Sequence, residues 1–160
     1  MPESNTSDPT SRGPSRAGEA LARIPPTVAE VMTRAVTTLS PDDALVEAVQ
    51  LFGEGGFRHL LVVDADRRLA GVLSDRDALR SMARGHAADE TQVAAAMTRD
   101  HIVARPDMSL LDAIDMMVFH GIHCLPVVDE RGMLCGVVTR TDLLAAFHAF
   151  LDRVSLLPPV

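Results

Sequence analysis

The pattern of apolar and polar positions along the chain predicts five elements that occur twice in the same order. A short extended stretch leads to a proline, and a helix follows in which apolar residues recur at helical spacing. Two apolar β runs joined by a polar turn come next, and a second helix closes the set. The predicted elements are 36–39, 44–52, 59–63, 69–73 and 75–83 in the first set, and 102–104, 110–119, 124–128, 134–138 and 140–151 in the second. The pattern also predicts Asp43 and Ser109 as helix N-caps, with Gly55, Gly56 and Gly121 as helix ends.

The two sets are an internal duplication at a constant offset of 65 residues. Val28-Ala-Glu-Val-Met-Thr-Arg34 recurs as Val93-Ala-Ala-Ala-Met-Thr-Arg99, and 19 of the 57 aligned positions from Thr27 to Ala83 are identical. Each copy alone would expose an apolar helix face and an apolar sheet face, which two copies bury by packing together. We therefore predict an α+β fold of tandem β-α-β-β-α repeats, packed as a pseudo-twofold pair with small mixed sheets covered by helices.

Composition divides the chain into two repeats, a linker and two tails. Residues 1–24 are rich in Ser, Pro, Thr, Gly and Arg and lack periodicity, which predicts a disordered tail. The first repeat is then 25–84, a polar linker is 85–90, the second repeat is 91–151, and a C-terminal tail is 152–160.

Charge and cysteine content narrow the class of protein. The formal net charge is -7 with interspersed basic residues, which argues against nucleic acid as a partner. Cys124 and Cys135 lie in apolar runs and form no CxxC pair, so reduced thiols are expected. Neither a signal peptide nor a membrane-spanning apolar stretch is recognisable, and we expect a cytoplasmic protein without membrane contact.

One motif in each copy carries candidate chemistry, a Gly-aliphatic-x-Ser/Thr-x-x-Asp sequence that joins the last strand to the last helix. Its polar residues are Ser74 and Asp77 in the first copy, and Thr139 and Asp142 in the second. A hydroxyl beside free backbone N–H groups at a helix start suits a phosphate or a sugar. A carboxylate one turn later can accept hydrogen bonds from a ribose diol. The same spacing is also that of a capping box, so a purely structural role stays open.

Several motifs in this order resemble the cystathionine β-synthase (CBS) domain family. These are Met-Thr-Arg, Pro-Asp, Gly-Ile-His-Cys-Leu-Pro-Val-Val-Asp and Gly-Val-Val-Thr-Arg-Thr-Asp, with similar sequences in the first copy, and the resemblance covers about 27–150. It implies a two-lobed Bateman module with up to two clefts for AMP, ADP, ATP or another adenosyl ligand such as S-adenosylmethionine, and no obligatory cofactor. It also implies a homodimer formed through the repeat helices, acting on an effector protein that the sequence does not identify.

The resemblance assigns roles to individual residues. Ser74, Asp77, Thr139 and Asp142 are expected to hold ribose and phosphate. The expected base slots are formed by Thr37, Thr38, His59 and Leu60, and by Ile102, Val103, Cys124 and Leu125. The phosphate candidates are Arg58, Arg76, His123 and Arg140, with Arg105 also expected near a cleft. Leu61 stands where the second copy has Pro126, and Ser74 stands where it has Thr139, so the two clefts need not bind equally well.

Other chemistries fit the sequence less well. His120, His123 and Cys124 are close in the chain, but a helix end followed by a strand makes their side chains diverge, so no metal site is predicted. No nucleophile elbow, P-loop or HExxH motif is present, and we expect no enzyme activity. The main alternative is a non-catalytic interaction and dimerisation scaffold with vestigial clefts, because the helix at 110–118 carries a wide apolar stripe.

Overall fold

The computed structural model describes residues 27–155, so the predicted tail 1–24 and the last five residues of the chain lie outside the described residues. The first repeat contains a 3₁₀ turn (Val28–Glu30), β1 (Thr38–Leu39), α1 (Leu45–Gly55), β2 (His59–Val63), β3 (Leu69–Ser74) and α2 (Asp75–Ala83). The second repeat contains α3 (Val93–Ala96), α4 (Leu110–His120), β4 (Cys124–Val128), β5 (Leu134–Thr139) and α5 (Arg140–Ser155). The predicted α+β fold of tandem repeats is confirmed. Within 27–155, no helix has the length and apolar character needed to cross a membrane.

The two repeats build similar sheets that differ in one strand. In the first repeat, β1 pairs parallel with β2, and β2 pairs antiparallel with β3. In the second, β4 and β5 form the antiparallel pair, and the predicted strand at 102–104 is reduced to a single parallel bridge between Ala104 and Val127. Pro126 occupies the position of Leu61 and has no N–H to donate, so the parallel ladder cannot extend as it does in the first repeat.

The capping residues of α1 and α4 are those that the sequence predicts, with one exception. Ser109 caps α4 and accepts a hydrogen bond from the N–H of Asp112 at 3.0 Å. Gly56 and Gly121 end α1 and α4 with φ of 63° and 64°, the left-handed conformation expected of a helix C-cap glycine. The prediction of Asp43 as an N-cap is wrong. Its carboxylate accepts from the N–H of Ser40 at 2.7 Å and closes the preceding turn, and α1 begins without a side-chain cap.

The first segment of each repeat packs into the hydrophobic core of the other repeat. Val28 and Met32 belong to the first repeat in sequence, yet they are buried in the core of the second repeat beside Leu125 and Val138. Conversely, α3 and Met97 complete the core of the first repeat. The exchanged segments are held by reciprocal backbone hydrogen bonds between Thr33 and Val137, both at 2.9 Å, and between Thr98 and Val72. The two repeats therefore share one folded unit.

One glycine in each repeat allows this close approach. A Cβ at Gly136 would lie 2.7 Å from the carbonyl oxygen of Thr33 and 3.1 Å from Sδ of Met32. A Cβ at Gly71 would lie 2.7 Å from Sδ of Met97 and 3.0 Å from the carbonyl oxygen of Thr98. Neither glycine has a positive φ, so both positions require glycine for space. This accounts physically for the glycine that opens the repeated motif.

Replacing Arg67 with glycine is expected to stabilise the protein by about 0.5–1 kcal/mol. Arg67 is the only non-glycine residue with positive φ (62°) between residues 27 and 155, and the equivalent turn position in the second repeat is Gly132 with φ of 78°. Glycine removes the steric cost of the left-handed conformation, partly offset by its greater freedom in the unfolded chain. Urea unfolding of Arg67→Gly against wild type measures the change, and an unchanged or lower midpoint would contradict it.

Candidate functional site

Two clefts open where the strand ends of the two repeats meet. The Asp142 cleft has a volume of about 500 Å³ and lies beside the N-terminus of α5. The Asp77 cleft has a volume of about 390 Å³ and lies beside the N-terminus of α2. The Asp142 cleft is lined by Thr33, Ala35, Val36, Thr37, Gly56, Phe57, Arg58, His59, Leu61, His123, Cys124, Val137, Thr139, Arg140, Thr141 and Asp142. The Asp77 cleft is lined by His59, Val72, Ser74, Arg76, Asp77, Arg80, Thr98, Asp100, His101, Ile102, Gly121, Ile122, His123, Cys124 and Pro126.

Each cleft combines residues from both repeats. In the Asp142 cleft, Thr139, Arg140 and Asp142 of the second repeat face Thr37 and Arg58 of the first. In the Asp77 cleft, Ser74, Arg76 and Asp77 of the first repeat face Ile102 and His123 of the second. The cause is the exchange of first segments, because the chain that leaves each Met-Thr-Arg motif must pass along a cleft on its return to its own repeat. The base-slot residues Thr37 and Ile102 therefore each line the cleft that holds the aspartate of the other repeat.

The start of α5 holds Asp142 by reciprocal capping bonds. The N–H and Oγ1 of Thr139 both donate to Oδ2 of Asp142, at 2.7 and 2.6 Å, and the N–H of Asp142 donates to Oγ1 of Thr139 at 3.3 Å. Oδ1 of Asp142 accepts only a 3.3 Å hydrogen bond from Oγ1 of Thr33 among the described residues. One carboxylate oxygen thus caps the helix, while the other keeps lone pairs for a ligand hydroxyl.

Asp77 at the start of α2 forms the same capping bonds, but its second carboxylate oxygen has a different partner. Ser74 donates to Oδ2 of Asp77 from its N–H and Oγ, and Ser74 Oγ accepts from the N–H of Asp77 at 3.2 Å, a complete capping box. Oδ1 of Asp77 accepts from Nη1 of Arg80 at 3.2 Å. Both aspartates therefore cap their helices. They differ at Oδ1, the oxygen not used for capping, because in Asp77 it already accepts a hydrogen bond from Arg80.

Three side chains, those of His59, His123 and Cys124, line both clefts and form the wall between them. Burial lowers the pKa of His59 below its ordinary value of 6.5, and repulsion from His123 acts in the same direction against the attraction of Asp75. A neutral imidazole offers one donor and one acceptor to a base or ribose. Burial, with the nearby Asp142 carboxylate, raises the pKa of the Cys124 thiol to about 12, so this sulfur stays protonated.

The arginines predicted for phosphate lie at the cleft rims. Arg58 and Arg140 line the Asp142 cleft, and Arg76 lines the Asp77 cleft. Nη1 of Arg58 is 3.3 Å from Oδ2 of Asp75, but the Arg58 side chain is 80% exposed, so this pair restrains it weakly. Arg105 instead pairs with Asp107 at 3.9 Å and Glu130 at 3.5 Å and lines neither cleft.

Four of the residues predicted for the base slots lie outside both clefts. Leu60 and Leu125 are central strand residues whose side chains are buried in the two hydrophobic cores, 1% and 0% exposed. Strand side chains alternate between faces, and these two point inward while their neighbours His59 and Cys124 point to the clefts. Thr38 and Val103 line neither cleft. We therefore do not assign these four to the site.

The structure adds cleft residues that sequence reasoning did not select. Thr33 and Thr98 sit at equivalent places in the two clefts, and Thr33 bonds to Asp142 directly. The sequence could have identified these two threonines, because both belong to the repeated Met-Thr-Arg motif. Arg80 and His101 also line the Asp77 cleft, and no hydrogen-bond partner for the buried Nδ1 of His101 is found within 27–155. Among the residues that the structure describes, no group of three or more His, Cys, Asp or Glu side chains is arranged to hold a metal ion.

Comparison with known families decides which fold this is. Residues 28–84 and 93–149 each match the CBS domain. The chain belongs to the CBS domain family. It forms a CBS pair in which the predicted tandem repeats are the two domains, and the two clefts lie between them.

Proteins similar in sequence to this chain include both short proteins and an enzyme. The CBS domain-containing protein YhcV of Bacillus subtilis is 37% identical over 117 residues, covering 72% of this chain and 81% of YhcV. An uncharacterized protein of Methanopyrus kandleri is 33% identical over 73% of this chain, which spans 60% of that protein. Inosine-5'-monophosphate dehydrogenase of Nitrosopumilus maritimus is 33% identical over 71% of this chain, which spans only 22% of the enzyme.

Solved protein structures superpose on most of the chain. AcuB of Vibrio cholerae has a TM-score of 0.75 and 31% identity, covering 83% of this chain and 98% of AcuB. CBSX2, crystallised in complex with AMP, has a TM-score of 0.68 and 28% identity, covering 77% of this chain and 96% of CBSX2.

Proposed function

We propose that this CBS pair is a regulatory sensor that binds an adenine nucleotide or another adenosyl ligand and transmits occupancy to a partner protein. The geometry of the Asp142 cleft carries the proposal. Two hydroxyls, a helix N-terminus and a carboxylate oxygen that has no cationic partner among the described residues converge there within one cavity. In this proposal Asp142 accepts the ribose hydroxyls, and Thr139, the first N–H groups of α5, Arg58 and Arg140 hold the phosphate.

The apolar part of the same cleft suits a purine ring. Val36, Val137 and Cys124 line it, with Thr37 and His59 as the polar groups that would orient the ring. Complex formation between AMP and CBSX2, a CBS protein 28% identical to this chain, supports an adenosyl ligand. The clefts lie between the two repeats, so a bound ligand would bridge both and favour one relative arrangement of them, which a partner can detect.

A scaffold function is the second candidate, and the helix surfaces favour it. Exposed large apolar side chains are concentrated on α4 and α5, with Val118 76% and Phe119 84% exposed. A groove of about 740 Å³ between these helices is lined by Ile114, Met117, Leu144 and Phe147 among others. Apolar surface of this kind marks protein interaction sites. Under this second candidate, two copies associate through the repeat helices as a homodimer, and the clefts are vestigial.

Thermal unfolding with added ligands separates the two candidates. AMP, ADP, ATP or S-adenosylmethionine at roughly a hundred times its Kd should stabilise the protein by about 2.7 kcal/mol and raise Tm by roughly 5–10 °C. CMP, which keeps the ribose and phosphate but changes the base, is the control and should give a smaller shift. If none of the adenosyl ligands shifts Tm at millimolar concentration, sensing is excluded. A dimeric mass in light scattering would then leave the scaffold function.

A further inference from the structure

The two clefts differ in the position three residues after the ribose-binding aspartate. In the first repeat this position is Arg80, whose Nη1 lies 3.2 Å from Oδ1 of Asp77. In the second repeat the equivalent residue is Ala145, which is exposed and carries no charge. Residues three apart on a helix face the same way, so Arg80 is placed to pair with Asp77, whereas the equivalent position on α5 offers Asp142 no cation.

The pair changes what the Asp77 cleft can offer a ligand. A ribose diol needs Oδ1 of the aspartate, the oxygen not used for capping, and in this cleft that oxygen already holds a guanidinium. In the Asp142 cleft the same oxygen holds only the hydroxyl of Thr33 among the described residues, a neutral group that can rotate and accept from a ligand instead. A ribose hydroxyl entering the Asp77 cleft therefore competes with an arginine for this oxygen, while one entering the Asp142 cleft competes only with a neutral hydroxyl.

Charge favours the Asp142 cleft for an anionic ligand as well. Its lining carries two arginines, Arg58 and Arg140, and one carboxylate, which gives a formal charge of +1 with neutral histidines. The lining of the Asp77 cleft carries two arginines and two carboxylates, Asp77 and Asp100, which gives a formal charge of 0. A phosphate gains more from the first arrangement.

We propose that the two clefts are unequal by construction: the Asp142 cleft is the tighter site for a phosphorylated adenosine, and Arg80 is a built-in competitor that weakens the Asp77 cleft. This rests on the proposed function, since it specifies which cleft of that sensor is occupied first. At ligand concentrations between the two dissociation constants, the CBS pair holds one nucleotide per chain. A second nucleotide binds in competition with Arg80.

The experiment moves the arginine between the clefts and measures binding of AMP and of adenosine by isothermal titration calorimetry on the full chain. Wild type should show one tighter site for AMP per chain and a weaker second site. Adenosine has the ribose but no phosphate, so it reports the competition for the aspartate without the attraction of a phosphate to Arg80. Arg80→Ala should strengthen adenosine binding at the Asp77 cleft about two- to fivefold, the range expected for release of one exposed ion pair. Ala145→Arg installs the same pair beside Asp142 and should weaken adenosine binding at the Asp142 cleft by a similar factor. Arg84→Ala is the matched control, an exposed arginine near α2 that lines neither cleft, and should change neither site.

The outcomes separate this inference from the function beneath it. If wild type binds AMP at neither site, the proposed sensing of AMP fails, and the inference fails with it. If wild type binds two equivalents with equal affinity, sensing stands and the inequality is wrong. Arg80→Ala and Ala145→Arg proteins that both bind adenosine like wild type would also overturn the role of Arg80.

Discussion

Asp142→Asn is expected to weaken AMP binding at the Asp142 cleft about 100-fold. Asparagine keeps one carbonyl oxygen, which still accepts from the Thr139 backbone and maintains the start of α5. It replaces the other oxygen, the one free of a cationic partner among the described residues, with a donor, and the negative charge is lost. Losing one to two charge-assisted hydrogen bonds to a ribose costs about 1.5–3 kcal/mol each, which sets the expected factor. Calorimetric titration with AMP measures the change.

Two comparisons make this result interpretable. Asp77→Asn is the matched control, because it makes the same change in the other cleft and should leave the tighter site intact. Thermal unfolding of both variants without ligand should show modest and similar losses, since both aspartates form the same capping bonds. If Asp142→Asn binds AMP like wild type but unfolds at a clearly lower temperature, the aspartate serves only as a cap.

Gly136→Val is expected to lower the free energy of unfolding by about 2–3 kcal/mol. The added Cβ would meet the carbonyl oxygen of Thr33 at 2.7 Å, and that oxygen accepts the N–H of Val137 and cannot simply turn away. The first segment of the chain must shift, which opens the second core around Met32 and displaces Thr33 from Asp142. Urea unfolding followed by circular dichroism measures the loss.

Gly53→Ala is the control for this substitution. Gly53 lies within α1 and has no positive φ, and a Cβ added there would meet no atom within 4 Å. Alanine at this position should therefore be neutral or stabilise the protein by up to about 1 kcal/mol. A Gly136→Val protein as stable as wild type would show that Met32 and Thr33 do not pack on β5.

The repeated pattern was sufficient to predict most of the elements and the capping bonds at the start of α2 and α5. Apolar spacing located β2 and β4 at their observed bounds, and it located the capping residues Ser74 and Thr139 together with their aspartates. These features depend on neighbours in the chain, and local spacing records them. It did not reveal that Leu60 and Leu125 face the cores, because a fully apolar strand shows no alternation from which to choose a face. It also missed that Asp43 closes a turn, since a turn and a cap use the same residue type.

The sequence by itself determined the duplication, its 65-residue offset, the α+β class and the position of a hydroxyl and a carboxylate at the start of each closing helix. Only the tertiary structure decided how these parts combine. The first segment of each repeat completes the core of the other, so each cleft draws Asp142 or Asp77 from one repeat and its facing residues from the other. The physical reason is that the apolar residues of Val28–Glu30 and Val93–Ala96 predict burial but do not specify which repeat covers them. The choice between these two packings depends on the shape of the surfaces they meet, including the space left by Gly71 and Gly136, and no pattern along one chain encodes that choice locally.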